Sequence, residues 1–151
     1  MKPITMAFCA LAAATTIAVT SCEGKKGEHQ NPFMQAYDTP YQIPPFEQIE
    51  ISDYMPAFNA GVEEARASID SIVSNPEAPT FANTILALDN LSPTLERVMS
   101  VLMSLTEADS TPELTAVSDS IIPAYSSFSD ELMMNSGLFN RIKTLYDSRD
   151  S

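Results

Sequence analysis

The chain has 151 residues, with 8 Lys plus Arg against 20 Asp plus Glu and a formal net charge of −12. Its length suits one domain. The charge balance excludes nucleic acid as a partner, because neutralising phosphates takes clustered Lys and Arg, and it excludes electrostatic docking on an anionic bilayer. An acidic surface attracts basic peptides, although its usual meaning is solubility.

The first elements are targeting signals. Met1-Lys2 is a short positive start, and residues 3–20 carry no charge and are mostly apolar or small. That is an n-region followed by an h-region, too short and too thinly flanked for a transmembrane helix. The run ends in Val19-Thr20-Ser21-Cys22. Small residues before a cysteine resemble a bacterial lipobox, which makes residues 1–21 a lipoprotein-type signal peptide and Cys22 the lipid carrier. The expected location is the bacterial cell envelope, lipid-anchored at a periplasmic or outer-membrane face, with plain secretion to the periplasm as the alternative. Cys9 leaves with the signal peptide, so the mature body holds no disulfide framework and no thiolate metal site. Residues 22–30 read as a flexible tether, and His29 on it reads as a solvated side chain.

Residues 31–51 read as an extended arm. Pro32, Pro40, Pro44 and Pro45 block regular helix. Phe33, Tyr37, Tyr41 and Phe46 are interleaved with them, which suggests an arm laid across a helical surface with its rings buried. A proline-rich adaptor ligand is the alternative, but the spacing is not a clean P-x-x-P.

From there to the end the pattern is helical. Ser52 is the expected cap of a first helix, whose stripe is Met55, Phe58, Val62, Ala65, Ile69 and Ile72. Asn75-Pro76 ends it. Thr80 caps a second helix to Leu91, with Phe81, Ile85 and Leu88 on one face. Ser92-Pro93 and Thr111-Pro112 each place a hydroxyl cap before a proline at the first helical position. The stripe after Ser92 is Leu95, Val98, Met99, Leu102 and Leu105. After Thr111 it is Leu114, Val117, Ile121, Tyr125, Phe128 and Leu132, with a kink expected at Pro123. A last helix opens near Ser136 and carries Leu138, Phe139, Ile142, Leu145 and Tyr146. Met99, Met103, Met133 and Met134 read as core filler rather than an adaptable binding surface. The fold class is all-α.

Chemistry-bearing motifs are missing from this pattern. One histidine cannot supply the common zinc sets or a serine triad. Glu63 and Glu64 point about 100° apart on a helix and do not converge. The sequence contains no G-x-G-x-x-G or Walker-type loop, and only four glycines are available to build one. No catalytic or metal-ligating residue is assigned, and no cofactor is expected to bind this chain.

Four patches carry a family resemblance over Asn31 to Asp147. They are the arm with Asn31-Pro32-Phe33 and Pro44-Pro45-Phe46-Glu47-Gln48-Ile49, the helix start Tyr54-Met55-Pro56-Ala57-Phe58, the run Asn75-Pro76-Glu77-Ala78-Pro79-Thr80-Phe81-Ala82-Asn83-Thr84-Ile85, and Ser136 through Asp147 with Leu138-Phe139 and Leu145-Tyr146. In that order they resemble the N-terminal region of the thimet-oligopeptidase-like zinc metallopeptidases, of the dipeptidyl carboxypeptidase and oligopeptidase A type. The resemblance implies that residues 52–151 are the N-terminal helical part of a two-lobed, all-α peptidase. Its channel admits short peptides. Its zinc is held by two histidines and a glutamate, with an H-E-x-x-H helix far downstream. None of those residues maps onto this chain, which is expected to be inactive alone. A free-standing, lipid-anchored helical binding module and a structural envelope lipoprotein are the alternatives. As part of a larger enzyme, the helices are expected to lend one face to later segments, with Phe58, Phe81, Phe128 and Phe139 as candidates for unfilled contacts.

Overall fold

The computed structural model describes residues 29–149. The expected signal peptide, the expected lipid carrier Cys22 and all but the last two residues of the expected tether lie outside them. Among the described residues every regular element is a helix or helical turn, as the sequence pattern predicts. No described helix is long and apolar enough to cross a membrane.

Residues 31–50 form three single 3-10 turns, Pro32–Met34, Pro40–Gln42 and Phe46–Gln48, joined by extended residues. The expected burial of four rings is met at one. Phe33 is fully buried against Tyr54, ring centroids 5.1 Å apart, and Tyr37 is half-buried. Tyr41 is 96% exposed and Phe46 also faces solvent. Tyr41 and Gln42 hold φ of 58° and 56°, the left-handed region that side chains with a Cβ rarely occupy. The turn therefore points the Tyr41 ring away from the helices.

The first helix, α1, is Ile51–Ser74. Its cap is Glu50 rather than Ser52. The Glu50 backbone N–H donates to Asp53 Oδ2 at 2.7 Å, while Ser52 Oγ donates to Glu50 Oε2 at 3.3 Å. The expected stripe is buried from Phe58 to Ile72, and Tyr54, Ala57 and Gly61 join it. Thr80 caps the next element as predicted. Asn83 N donates to Thr80 Oγ1 at 3.1 Å, and Thr80 N donates back to Asn83 Oδ1 at 2.8 Å, a reciprocal box. The chain then enters a π-helical stretch, Phe81–Leu86, which runs into one α turn, Ala87–Asp89; together these are α2. Phe81, Ile85 and Leu88 share one face as expected, lining a shallow surface pocket with Leu86 and Asp89, but that face is not the buried one. Phe81 is 65% exposed, and the fully buried residue is Thr84. In a π-helix successive residues are spaced differently around the axis, which turns Thr84 rather than Phe81 toward the core.

Two further predicted caps hold. Leu95 N donates to Ser92 Oγ at 3.0 Å at the start of α3, Pro93–Ala108, and Leu114 N donates to Thr111 Oγ1 at 3.2 Å at the start of α4, Pro112–Met133. Pro123 lies within α4, which runs unbroken across it. The last helix, α5, is Ser136–Asp147, capped by Asn135.

The core lies mainly between α1 and α3, and α4 adds Leu114, Ile121 and Phe128. Val98, Val101 and Leu102 of α3 have essentially no exposed surface. Gly61 lets the two helices touch: a Cβ there would lie 2.7 Å from the Leu95 backbone nitrogen. Burial of aliphatic and aromatic side chains of this size stabilises by about 1.5–3 kcal/mol each, which makes this seam the main source of stability.

Candidate functional site

Three places in the described residues bring polar or apolar groups into an arrangement that a helical bundle does not need by default. The first is the entrance of the chain. His29 is not a free tether residue. Its Nε2 lies 2.8 and 3.0 Å from the two oxygens of Asp53, and Nδ1 lies 3.8 Å from Glu50. The ring remains partly exposed, but Asp53 is buried. Asn31 Nδ2 donates to the Asp53 carbonyl at 2.8 Å, and Asn31 Oδ1 accepts from Phe33 N at 3.0 Å. Arg97 Nε of α3 donates to the Phe33 carbonyl at 2.8 Å. The segment before α1 is thus stitched to both α1 and α3. The hydrogen bond to the Asp53 carboxylate raises the His29 pKa above its ordinary 6.5, with the charges of Asp53 and Glu50 adding to the shift against partial desolvation. The signal for this contact in the sequence is Asp53 itself: an N3 carboxylate is a natural partner for a cation arriving at a helix start.

The second place joins two of the four family-like patches. Arg141 of α5 is buried, against the usual habit of arginine. Its Nη1 donates to the carbonyls of Asn75 (2.8 Å) and Glu77 (3.3 Å), and its Nη2 to Asn83 Oδ1 (3.1 Å). Asn83 Oδ1 also accepts from Thr80 N and Thr84 Oγ1, and Asn83 Nδ2 donates to the Ala78 carbonyl. Gly137 sits against Val73, where a Cβ would come within 2.5 Å of the Val73 side chain. The run from Asn75 to Asn83 therefore reads as caps and breaks locally, but in three dimensions it is a cradle of carbonyls and one amide around a guanidinium. The two Nη atoms of Arg141 are paired within the cradle, its Nε is buried without a partner, and the cradle has the form of a structural corner.

The third place is an apolar groove of about 640 Å³ between α3 and α4. Ala65, Leu95 and Phe128 form its floor. Met99 and Met103 of α3 face Ile122, Tyr125 and Leu132 of α4, and Asp89 and Glu96 lie at its edge. The structure corrects the expectation that the methionines are core filler. Only Met99 packs partly against the core, Met103 is on the groove wall, and Met133 and Met134 are 81% and 85% exposed. Of the four aromatic residues expected to be candidates for unfilled contacts, Phe58 and Phe128 are buried, while Phe81 and Phe139 are exposed.

Glu63 and Glu64 diverge as expected. Glu63 Oε1 accepts from Arg66 Nη1 at 2.9 Å, and Arg66 Nη2 reaches Glu131 of α4 at 2.8 Å. Glu64 Oε2 accepts from Ser92 Oγ at 2.7 Å, which lowers the Glu64 pKa and ties the cap of α3 to α1. A zinc site does not fit the described residues: nowhere do three His, Cys, Asp or Glu side chains come together in a metal-holding group. His29, Glu50 and Asp53 meet at the start of α1, where His29 Nε2 and the Glu50 backbone N–H both bond the Asp53 carboxylate.

No family model matches the chain. It is 36% identical to dipeptidyl carboxypeptidase of Salmonella typhimurium over 121 residues, which is 80% of this chain and 18% of that protein. The same enzyme of Escherichia coli gives the same identity and coverage. Oligopeptidase A of Escherichia coli is 25% identical over 109 residues, 72% of this chain and 16% of that protein. The matched part is the N-terminal part of these relatives, and the chain spans less than a fifth of their length.

Proposed function

We propose, on the premise that this chain is homologous to the N-terminal region of dipeptidyl carboxypeptidase and oligopeptidase A of the thimet oligopeptidase family, that it is the helical N-terminal part of a zinc peptidase of the bacterial cell envelope. Its role there is non-catalytic. The helices wall a substrate channel, and the zinc motif and the residues that cut short peptides belong to a part of such an enzyme outside this sequence. The lipid on Cys22 holds the assembly at the membrane. The observation that carries this reading is the corner around Arg141, which makes one structural unit of two patches that are far apart in the chain and carry the family resemblance. Such a corner gives the resemblance a physical basis beyond a shared helix pattern.

The test replaces the matched N-terminal part of the Salmonella relative with residues 29–149 of this chain. The chimaera is expected to release dipeptides from short peptides in a chelator-sensitive way, while the full 151-residue chain with added zinc does nothing. Hydrolysis by the chain alone with stoichiometric zinc, or a folded chimaera without activity, speaks against the reading. Cys22→Ala is expected to abolish fatty-acid labelling and leave unprocessed precursor. A variant processed and located like the parent points to ordinary secretion. The second reading, a free-standing lipid-anchored binding module, draws on the sealed seam between α1 and α3, which requires nothing outside the chain to close it.

A further inference from the structure

We propose that the groove between α3 and α4 seats one amphipathic helix, basic along its flanks, from the larger peptidase body of which this chain is the N-terminal part. The source of the helix rests on the proposed peptidase function, but the chemistry of the seat is read from the groove itself. Its walls are Met99 and Met103 against Ile122, Tyr125 and Leu132, and its floor reaches down to Ala65, where a side chain from outside can approach α1 closely. A groove of about 640 Å³ admits about three or four large apolar side chains, the i, i+3, i+4 and i+7 anchors of a single helix. Unbranched methionines on one wall let the seat adapt to the anchors that enter.

Charge selects the occupant. Asp89 and Glu96 line the groove and no basic side chain does. The chain as a whole carries −12. A second copy laid face to face would bring Asp89 and Glu96 against their own kind, and like charges across an interface oppose association. A helix with Lys or Arg beside its apolar stripe meets both carboxylates and buries its anchors in the same pose. The relatives carry more than four-fifths of their length beyond the matched part, so a parent enzyme of that size has ample helix to supply.

The test uses the full chain and labelled synthetic helices read by fluorescence anisotropy. A helix with a Leu stripe flanked by Lys is expected to bind at least about tenfold tighter than its Leu–Glu counterpart and than a Ser–Lys peptide of the same charge. Met103→Glu weakens the Leu–Lys helix by about tenfold or more, Glu96→Lys does so to a smaller extent, and Asp70→Lys, on the exposed face of α1, leaves it nearly unchanged. Circular dichroism of each variant keeps unfolding out of the result. Equal binding of the Leu–Glu or Ser–Lys peptide, indifference to Met103→Glu, or an equal loss on Asp70→Lys overturns the proposal. So does sedimentation showing a dimer that Met103→Glu dissolves, which makes a second copy the occupant. In the chimaera, Met103→Glu is expected to raise proteolysis between this region and the rest. No change there, with peptide binding intact, overturns the body as the source. An inactive chimaera whose groove still binds the Leu–Lys helix counts against the peptidase reading and leaves the chemistry of the seat standing.

Discussion

Helix α3 faces two different surroundings within the same turns. Toward α1 it presents Leu95, Val98, Val101 and Leu102, all buried, at a crossing close enough to require Gly61. Toward the groove it presents Glu96, Met99, Ser100 and Met103, of which all but Met99 are exposed. The sealed face uses branched side chains with few rotamers, and the open face uses unbranched methionine next to polar residues. Stiff side chains lose little entropy when locked into a close-packed seam, whereas a flexible thioether tolerates an unfilled side. The difference teaches that one helix can seal a seam on one face and leave the opposite face open.

The sharpest way to break this comparison is to truncate neighbours on the two faces. Leu102→Ala is expected to destabilise by about 3–4 kcal/mol, because it opens a cavity in the seam, and Met103→Ala by less than about 0.5 kcal/mol. Urea denaturation of both variants checks this, and similar losses would erase the distinction between the faces. Arg141→Met tests whether the far corner is held as firmly as the seam. It leaves the carbonyls of Asn75 and Glu77 without their guanidinium donor, while Asn83 keeps its bonds to Thr80, Thr84 and Ala78, so a loss of about 1–3 kcal/mol is expected, with faster hydrogen exchange concentrated in residues 75–86.

A smaller effect comes from Gly61→Ala. Helix propensity alone favours alanine by up to about 1 kcal/mol. The contact with Leu95 is expected to reverse the sign to a net loss of about 1–2 kcal/mol, as overpacking does. A gain in stability would mean that α1 and α3 are less closely packed than their backbones indicate. The smallest effect belongs to His29→Gln and reads the pH dependence of the chain entrance. The folded-state pKa of His29 is raised above 6.5 by Asp53. Its charge-dependent contribution is therefore fully present below about pH 6.5 and fades as pH rises through the folded value. The stability difference between parent and variant is expected to shrink over that window, and a difference independent of pH would remove the charged pair from the account.

The caps were the most legible part of the sequence. Ser92-Pro93, Thr111-Pro112 and Thr80 open helices where the hydroxyl-before-helix rule puts them, because that rule depends on the first turn alone. Ser52 misled for the same reason. A serine at a helix start is a good cap, but Glu50 and Asp53, one turn apart, close the end reciprocally and leave Ser52 inside. Periodicity found the α1 and α3 stripes, since both are regular α-helices buried on one side. It did not tell which stripes would be buried: Phe81, on a π-helical stretch, and Phe139, on a short helix with only one strongly buried apolar residue, are exposed.

Local chemistry, read along the chain, thus determined that this protein is helical, where most of its helices begin, and which side of the longest ones is apolar. Propensity, capping and amphipathic period all act within a turn or two, so they survive without knowledge of the fold. Tertiary structure alone decided which stripes meet and which groups change their usual role. Arg141 and Asn75 are 66 residues apart in sequence, His29 and Asp53 are 24 apart, and Glu64 and Ser92 are 28 apart. An arginine is stable in an interior only when acceptors meet its donors, and here they are two backbone carbonyls and a side-chain amide oxygen. No pattern local to α5 announces carbonyls supplied by the loop after α1.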